Sequence, residues 1–396
     1  MTQVDQSTRT LETQRLQRLQ GALGNAQFDA LILIQPANVH YASGYRSLGA
    51  AVHGIASIAV VVTPDDLHLA GPIADAAPAF DAGSAEDKFA AYGRFYFESE
   101  GGHATATRLV DEHADLATAV LTTLGRLGLE RASVGIDTDS APVRAALADH
   151  LPNVRVSDAS AWMSTLRGIK LPGEVALLEE SARVAEDGII KAVESAHVGT
   201  TEQELAAIVA TTMAQGGLEP RFVVVTAGER SALGDAFPTD REIQRGDLVR
   251  FDVGGTLHGY WSDIGRTAVV GPPSDRQRRF YDAILQGEQD ELDLARPGVA
   301  ANDIFRRAIE VVEANGGPSP YRRHHCGHGI GLTTYEPPII RPADDDPLQP
   351  GMVFCFETPY YELGWGGMMV EDALVITDDG CRMLTGRARE MMEIPA

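Results

Sequence analysis

Cysteine is scarce in this chain of 396 residues: Cys326, Cys355 and Cys381 are an odd number and lack metal-finger spacing. A disulfide scaffold is excluded and reduced thiols are expected. Lysine occurs only at positions 88, 170 and 191, so nearly all the positive charge is arginine. Even so, 33 Lys+Arg face 56 Asp+Glu, a formal net charge of −23, and no Lys/Arg run interrupts that balance. Such a surface repels phosphate backbones, so no nucleic-acid partner and no anionic membrane partner is expected. Long apolar runs are missing too. No stretch approaches the ~18 residues of a membrane span, and MTQVDQSTRTLETQRLQRLQ lacks the apolar segment of a signal peptide. A soluble, cytoplasmic protein is expected. What is present, 44% hydrophobic and 22% charged residues, suits a folded chain with ample core, long enough for two domains.

Residues 12–24 place Leu16, Leu19 and Leu23 at helical spacing and lead into FDALILIQ, an apolar run of β-like composition. IASIAVVVT and LHLAG flank the turn-forming Pro-Asp-Asp at 64–66 and read as paired strands. A helix around 105–129, a strand at SVGIDTD, a helix at APVRAALADHL and a strand at VRVSD follow. Residues 1–165 are therefore expected to alternate helix and strand. From Glu174, EVALLEESARVAEDGIIKAVESA reads as a long amphipathic helix, and Thr-Thr-Glu-Gln-Glu at 200–204 as the N-cap of the next. Strands at FVVVTAG, LVRFDVGG, GRTAVVG, MVFCFET and MVEDALVIT interleave with helices near 276–294 and 302–315. Residues 166–396 are thus expected to form an α+β catalytic domain around a mixed or antiparallel sheet.

Acids set in apolar strands carry the chemical signal. In LVRFDVGGTLHGYWSDIGRTAVVG, Asp252 is expected to end a strand, GGTLHG to turn, and Asp263 to begin the returning strand, which brings both carboxylates to one face. An acid buried without compensation is costly, so a partner or a metal is one explanation and hairpin capping the other. This pair alone leaves both open. In YRRHHCGHGIGLTTYEPP, His324, His325 and His328 crowd a Gly-rich segment, which fits a metal or proton-transfer site better than a core. Gly327, Gly329 and Gly331 lack the preceding strand and the lysine of a phosphate loop. His40 and His258, near turns, are expected at the surface without a role. Glu357 ends MVFCFE and Glu371 lies in GGMMVEDALVIT, two further acids in buried-looking strands. Asp252, Asp263, His328, Glu357 and Glu371 together offer hard oxygen ligands and one imidazole, suited to Mn²⁺, Fe²⁺, Co²⁺ or Zn²⁺. Four carboxylates exceed what one tetrahedral ion needs, so two ions roughly 3.5–4 Å apart are expected. Cys326 and Cys355 read as small buried fillers.

The stretches FDVGGTLHGYWSDIGRT, HHCGHGIG, LQPGMVFCFETP and VEDALVIT resemble, in order and approximate spacing, the pita-bread metallohydrolases, which include methionine aminopeptidase, aminopeptidase P, prolidase and creatinase. LRGIKLPGEVALLEESARVAEDG is similar to the first helix of that fold and DALILIQPANVHYASGY to its creatinase-type N-terminal domain. The likeness spans nearly the whole chain and points to the aminopeptidase P, prolidase and creatinase branch. It implies a creatinase-like α/β domain over residues 1–165, serving substrate closure and dimerisation, and a pita-bread catalytic domain over 166–396. The family's five ligand positions fall on Asp252, Asp263, His328, Glu357 and Glu371. Creatinase, by the same resemblance, has lost ligands, whereas this chain has all five. The implied cofactor is two divalent ions, Mn²⁺ first, with Co²⁺, Fe²⁺ or Zn²⁺ as alternatives, acting through a bridging hydroxide on a small peptide or small-molecule amide. Glu357 is implied as proton shuttle and His324 as a donor to the substrate carbonyl or the oxyanion. A homodimer is implied as well.

Three positions depart from the proline-peptidase pattern. The family's His ahead of Pro-Thr-Asp is Asp235, its His seven residues beyond the ligand His is Tyr335, and its Arg two residues before the last ligand Glu is Met369. An acid, a phenol and a thioether thus stand where two imidazoles and a guanidinium would orient a peptide. Asp235 would favour a cationic substrate group and Tyr335 can still donate one hydrogen bond. Three readings follow: an Xaa-Pro aminopeptidase or dipeptidase, placed first; a hydrolase of a small cyclic amidine, guanidino compound or amide on the same fold; and a catalytically inactive binding module, which the intact ligand set disfavours.

Overall fold

In the computed structural model, which describes residues 3–95, 113–387 and 389–396, the chain divides into two units, Met1–Leu166 and Arg167–Ala396. The first unit opens with a helix over Gln3–Leu23, longer at its N-terminal end than the leucine spacing indicates. Six strands follow: β1 (Ala30–Leu33), β2 (Ala59–Val62), β3 (Leu67–Pro72), β4 (Phe89–Tyr92), β5 (Ser133–Ile136) and β6 (Arg155–Asp158). They form one mixed sheet in the order β4-β3-β2-β1-β5-β6, and β2 and β3 pair antiparallel about the 64–66 turn. Strands β1 and β2 are buried along their whole length, which is why their sequences are continuous apolar runs without alternation. Ile32, Val61, Val134 and Ile136 pack with Val120 and Leu124 of the helix Leu116–Arg126 and with Val143 and Leu147 of the helix Ala141–His150. Leu116–Arg126 is what the structure shows of the helix expected over 105–129; residues 105–112 lie outside the described residues. Its start is set by Asp115, whose carboxylate accepts the Thr118 backbone N–H at 2.8 Å.

The expectation of a surface His40 is corrected here. Its helix, Pro36–Ser43, turns that residue inward, where Nδ1 donates to the Gly44 carbonyl at 3.0 Å. A ring satisfied by its own helix end is compatible with burial even though a turn follows at once.

The second unit begins with the long helix Pro172–Ser195 and the helix Glu202–Gln215. The second is opened by a capping box: Thr201 Oγ1 accepts the Glu204 N–H at 3.1 Å, and Glu204 Oε2 accepts the Thr201 N–H at 2.8 Å. Twelve strands follow, namely β7 (Glu219–Ala227), β8 (Leu248–Leu257), β9 (Tyr260–Trp261), β10 (Ile264–Val270), β11 (Gly327–Gly329), β12 (Glu336–Ile339), β13 (Val353–Glu357), β14 (Tyr360–Glu362), β15 (Gly366–Met368), β16 (Glu371–Ile376), β17 (Cys381–Met383) and β18 (Met392–Ile394). The main sheet runs β12-β11-β13-β16-β10-β8-β7, with β17 on β16, β18 on β10 and β9 on β8. Its pairings are antiparallel except β10 with β18. The helices Asp275–Leu294 and Ala301–Ala314 cover one face, where Leu292, Ile304, Phe305 and Ala308 meet Phe354, Phe356, Leu374 and Ile376. The period of two then sends Cys355, Glu357, Glu371 and Ala373 to the opposite face.

One local expectation is corrected by the hairpin. Strand β8 does not end at Asp252 but runs five residues further to Leu257, and the turn is the two-residue His258-Gly259. Both have positive φ, 48° and 86°, as a primed hairpin turn requires, so the glycine belongs there and His258 is the strained partner. His258 is exposed, as expected. Among the described residues no helix is long and apolar enough to cross a membrane.

Candidate metal centre

Sheet register assembles the site. Asp252 pairs with Gly265, Gly265 with Glu371, and Glu371 with Glu357, so three carboxylates lie in one row across β8, β10, β16 and β13 with a glycine between the first two. Asp263 precedes Gly265 by two residues, on the approach to β10, and His328 pairs with Cys355 one step along β13. Asp263 Oδ2 and His328 Nε2 are 3.7 Å apart. Ligand-type atoms of Asp263, His328 and Glu371 all fall within 4.8 Å of one another, and all three residues are buried. Asp252 and Glu357 stand on either side of Glu371 in the row. The five residues selected from sequence are therefore brought together.

The electrostatics show what these groups lack. Burial pushes the Asp263 and Glu371 carboxyls well above the usual range, and the neighbouring carboxylates add to the shift. Burial likewise raises Asp252 to about 6, against the Arg250 guanidinium, whose Nη1 donates to Asp252 Oδ2 at 3.0 Å. Glu357 goes the other way: burial opposes ionisation, but His325 and Arg323 outweigh it and hold the carboxyl below its ordinary value. Arg323 Nη2 donates to Glu357 Oε2 at 3.2 Å, and His325 Nδ1 lies 2.9 Å from Oε1. Burial pushes the His328 imidazole down, which keeps it neutral. Its Nδ1 donates to the Gly329 carbonyl at 3.1 Å, leaving the Nε2 lone pair directed at Asp263. A buried set of acids with too little positive charge, a neutral imidazole presenting its lone pair and converging oxygens fits divalent cations.

The pocket residues separate. Tyr335 belongs to the site: its ring stacks on His328 at 3.8 Å between centroids and 22° between planes, and it remains half exposed. Burial and the surrounding carboxylates raise its hydroxyl, so it stays a donor. Asp235 is exposed on the segment after Ala232, near enough to Asp252 for its charge to raise that carboxyl. Met369 is buried; its side chain lies over Gly265, where an added Cβ would meet Met369 Cγ at 2.4 Å. His324, the donor that the resemblance implies, lies at the surface. Its neighbour His325 supplies the imidazole beside Glu357, while His324 is exposed, because the segment before β11 is irregular and the strand alternation that would assign faces starts only at Gly327. Cys326 and Cys355 are fully buried, and burial raises both thiols, consistent with packing roles.

Sequence reasoning missed Arg250 and Arg323, and it named His325 in the histidine cluster without giving it a role of its own. Arg250 carried the same signal as the acids, a charge inside an apolar strand two residues from Asp252. Arg323 and His325 carried none beyond their place in RRHHC. Glu336 was missed too: buried at the end of the same loop, it accepts bonds from Arg167, from Lys170 at 3.0 Å and from the Leu332 N–H at 3.1 Å.

A family model described as metallopeptidase family M24 matches residues 176–378, and one described as creatinase/prolidase N-terminal domain matches residues 15–169. The Xaa-Pro dipeptidase of Pyrococcus furiosus is 36% identical over 229 residues, covering 57% of this chain and 66% of that protein. The Xaa-Pro dipeptidase of Lactobacillus helveticus is 31% identical over 253 residues, covering 63% and 68%. The matched region thus spans about two thirds of these relatives. Among solved structures, prolidase from Pyrococcus furiosus superposes with a TM-score of 0.74 at 26% identity, covering 93% of this chain and 100% of that one. An X-Pro aminopeptidase from Thermotoga maritima gives 0.80 at 22% identity, covering 95% and 99%, and supports the fold.

Proposed function

The chain belongs to metallopeptidase family M24, in its aminopeptidase P and prolidase branch, and from that premise we propose that it is a metal-dependent hydrolase of the C–N bond following the first residue of Xaa-Pro peptides. The observation that carries this is the convergence of Asp263, His328 and Glu371 within 4.8 Å, with Asp252 and Glu357 on either side of Glu371 in its row. Asp252, Asp263, His328, Glu357 and Glu371 would hold two divalent ions, Mn²⁺ first. Bound there, the ions supply a Lewis acid for the scissile carbonyl and a water acidic enough to attack near neutral pH.

The chain's own groups do the rest. Glu357, kept ionised by Arg323 and His325, takes the proton of the attacking water and returns it to the leaving amine. His325, partly exposed beside Glu357, donates to the substrate carbonyl in the role that resemblance assigned to His324. Tyr335, stacked on His328, closes the site on one side and offers its hydroxyl to the substrate. The same reading extends to a homodimer, with the N-terminal unit serving closure. Hydrolysis of a small amidine, guanidino compound or amide is the second reading; it is favoured by Asp235 and Tyr335, both at the site's exposed side.

The test is EDTA-stripped protein reloaded separately with Mn²⁺, Co²⁺, Fe²⁺ or Zn²⁺ and assayed on Xaa-Pro dipeptides, longer Xaa-Pro peptides and cyclic or guanidino amides. Release of the N-terminal residue only from reloaded protein is expected. Equal activity of stripped and reloaded protein overturns the metal reading, and turnover of the non-peptide amides alone transfers the function to the second reading.

A further inference from the structure

Arg250 is a full-length charged side chain in the middle of β8, with no exposed surface, and four of its bonds are made to two separate parts of the site. Nη1 donates to Asp252 Oδ2 at 3.0 Å. Nε donates to the Ser231 carbonyl at 3.0 Å, and Nη2 to the carbonyls of Leu233 and Gly234 at 2.8 and 2.5 Å. One residue, Phe251, separates Arg250 from Asp252 along the strand, so the pleat puts both on the same face. The 231–234 segment is itself docked, since Ser231 Oγ accepts the Gly367 N–H at 2.7 Å, and Asp235 follows it at the exposed side.

Met369 completes the seat. Thr267, the ladder partner of Arg250, accepts the Met369 N–H on its Oγ1 at 2.8 Å, and the Met369 sulfur then reaches 3.9 Å from Arg250 Nη1. The Tyr361 ring centroid lies 5.2 Å from the guanidinium carbon on a further side. Arginine alone has the donors for this arrangement: a planar fork of five N–H groups serves a carboxylate and three carbonyls at once, whereas a lysine is a single point with three donors.

We propose that Arg250 is a positioning residue that aims Asp252 at the metal and ties it to the 231–234 segment, so that metal affinity and the placement of the segment leading to Asp235 are set by one side chain. The inference rests on reading the five residues as a metal centre. A residue that only supports the fold would lower stability and leave ion affinity unchanged. A residue that aims a ligand changes ion affinity, by about 10–100-fold when it is removed.

The experiment is titration of EDTA-treated protein with Mn²⁺ by calorimetry, with circular dichroism of the metal-free protein as the control for folding and KM for an Xaa-Pro dipeptide as a second readout. For Arg250→Met, Mn²⁺ affinity falls about 10–100-fold and KM rises, with an unchanged dichroism spectrum. Arg250→Lys, which keeps the charge and loses the fork, falls at least about tenfold and carries the test should Arg250→Met not fold. In Arg250→Met/Met369→Arg, a guanidinium enters the same volume from the connection between β15 and β16, and Mn²⁺ affinity is regained relative to Arg250→Met. Wild-type affinity in folded Arg250→Met or Arg250→Lys overturns the proposal. Absence of Mn²⁺ binding by the wild-type protein overturns the metal reading itself, which keeps the two failures distinct.

Discussion

Replacing Glu336 by glutamine should cost several kcal/mol at neutral pH and almost nothing in acid. The carboxylate is buried between Arg167 and Lys170, accepts from both, and also accepts the Leu332 and Thr333 N–H groups of the loop that leads to Tyr335. Burial by itself would raise its pKa, but the charges of Lys170 and Arg167 dominate together and hold it at about 2, against an ordinary 4.5. That difference corresponds to about 3 kcal/mol of folding stability. Because the folded pKa is depressed, the contribution is complete above the unfolded value near 4.5 and is lost as pH falls from there toward 2. Glutamine removes the contribution and leaves two buried cations facing each other, so the loss at pH 7 should be about 3–5 kcal/mol. Urea unfolding of EDTA-treated wild-type and Glu336→Gln protein at several pH values between 7 and 3 reads this directly. The gap between them should narrow steadily below pH 4.5. A gap independent of pH, or one under about 1 kcal/mol at pH 7, refutes the argument.

Asp263→Asn and Glu371→Gln should each reduce metal content, measured by elemental analysis, and leave the metal-free protein as stable as wild type or more so, because each removes a buried charge that its neighbours oppose. His325→Ala should lower kcat by about 10²-fold or more while His324→Ala changes it little, which steady-state kinetics on an Xaa-Pro dipeptide would decide. Phe356→Ala, on the helix-facing side of β13, should cost about 3–5 kcal/mol in chemical unfolding, since it empties volume in the buried cluster that Phe356 shares with Phe305 and Ile304.

Where local chemistry decides, the chain was legible. The Thr201/Glu204 capping box, the β2–β3 hairpin about Pro64 and the strand at VFCFE each follow from interactions within a few residues, and the structure has them. The hairpin holding Asp252 was harder. Gly254 and Gly255 look like a turn, yet both continue β8: a Cβ on Gly254 would meet the Phe222 ring and the Ser262 carbonyl, so these glycines mark close approach between strands. His324 against His325 shows a different limit. In an irregular segment no period exists from which a face can be read, and only the packed position of Glu357 selects the imidazole that approaches it.

The sequence by itself determined the element types, the two-part architecture it suggests and the five candidate ligands, because a charged group inside an apolar strand is anomalous wherever it occurs. Tertiary structure decided the rest. Register across β8, β10, β16 and β13 placed Asp252, Glu371 and Glu357 in one row, although Asp252 lies more than a hundred residues before the other two along the chain. It also gave Arg250 its partners: the carbonyls of 231–234 and the sulfur of Met369 have no local relation to that residue. The physical reason is that desolvation and Coulomb interaction depend on distance in space, and only the paired sheet brings these groups into a common environment poor in water.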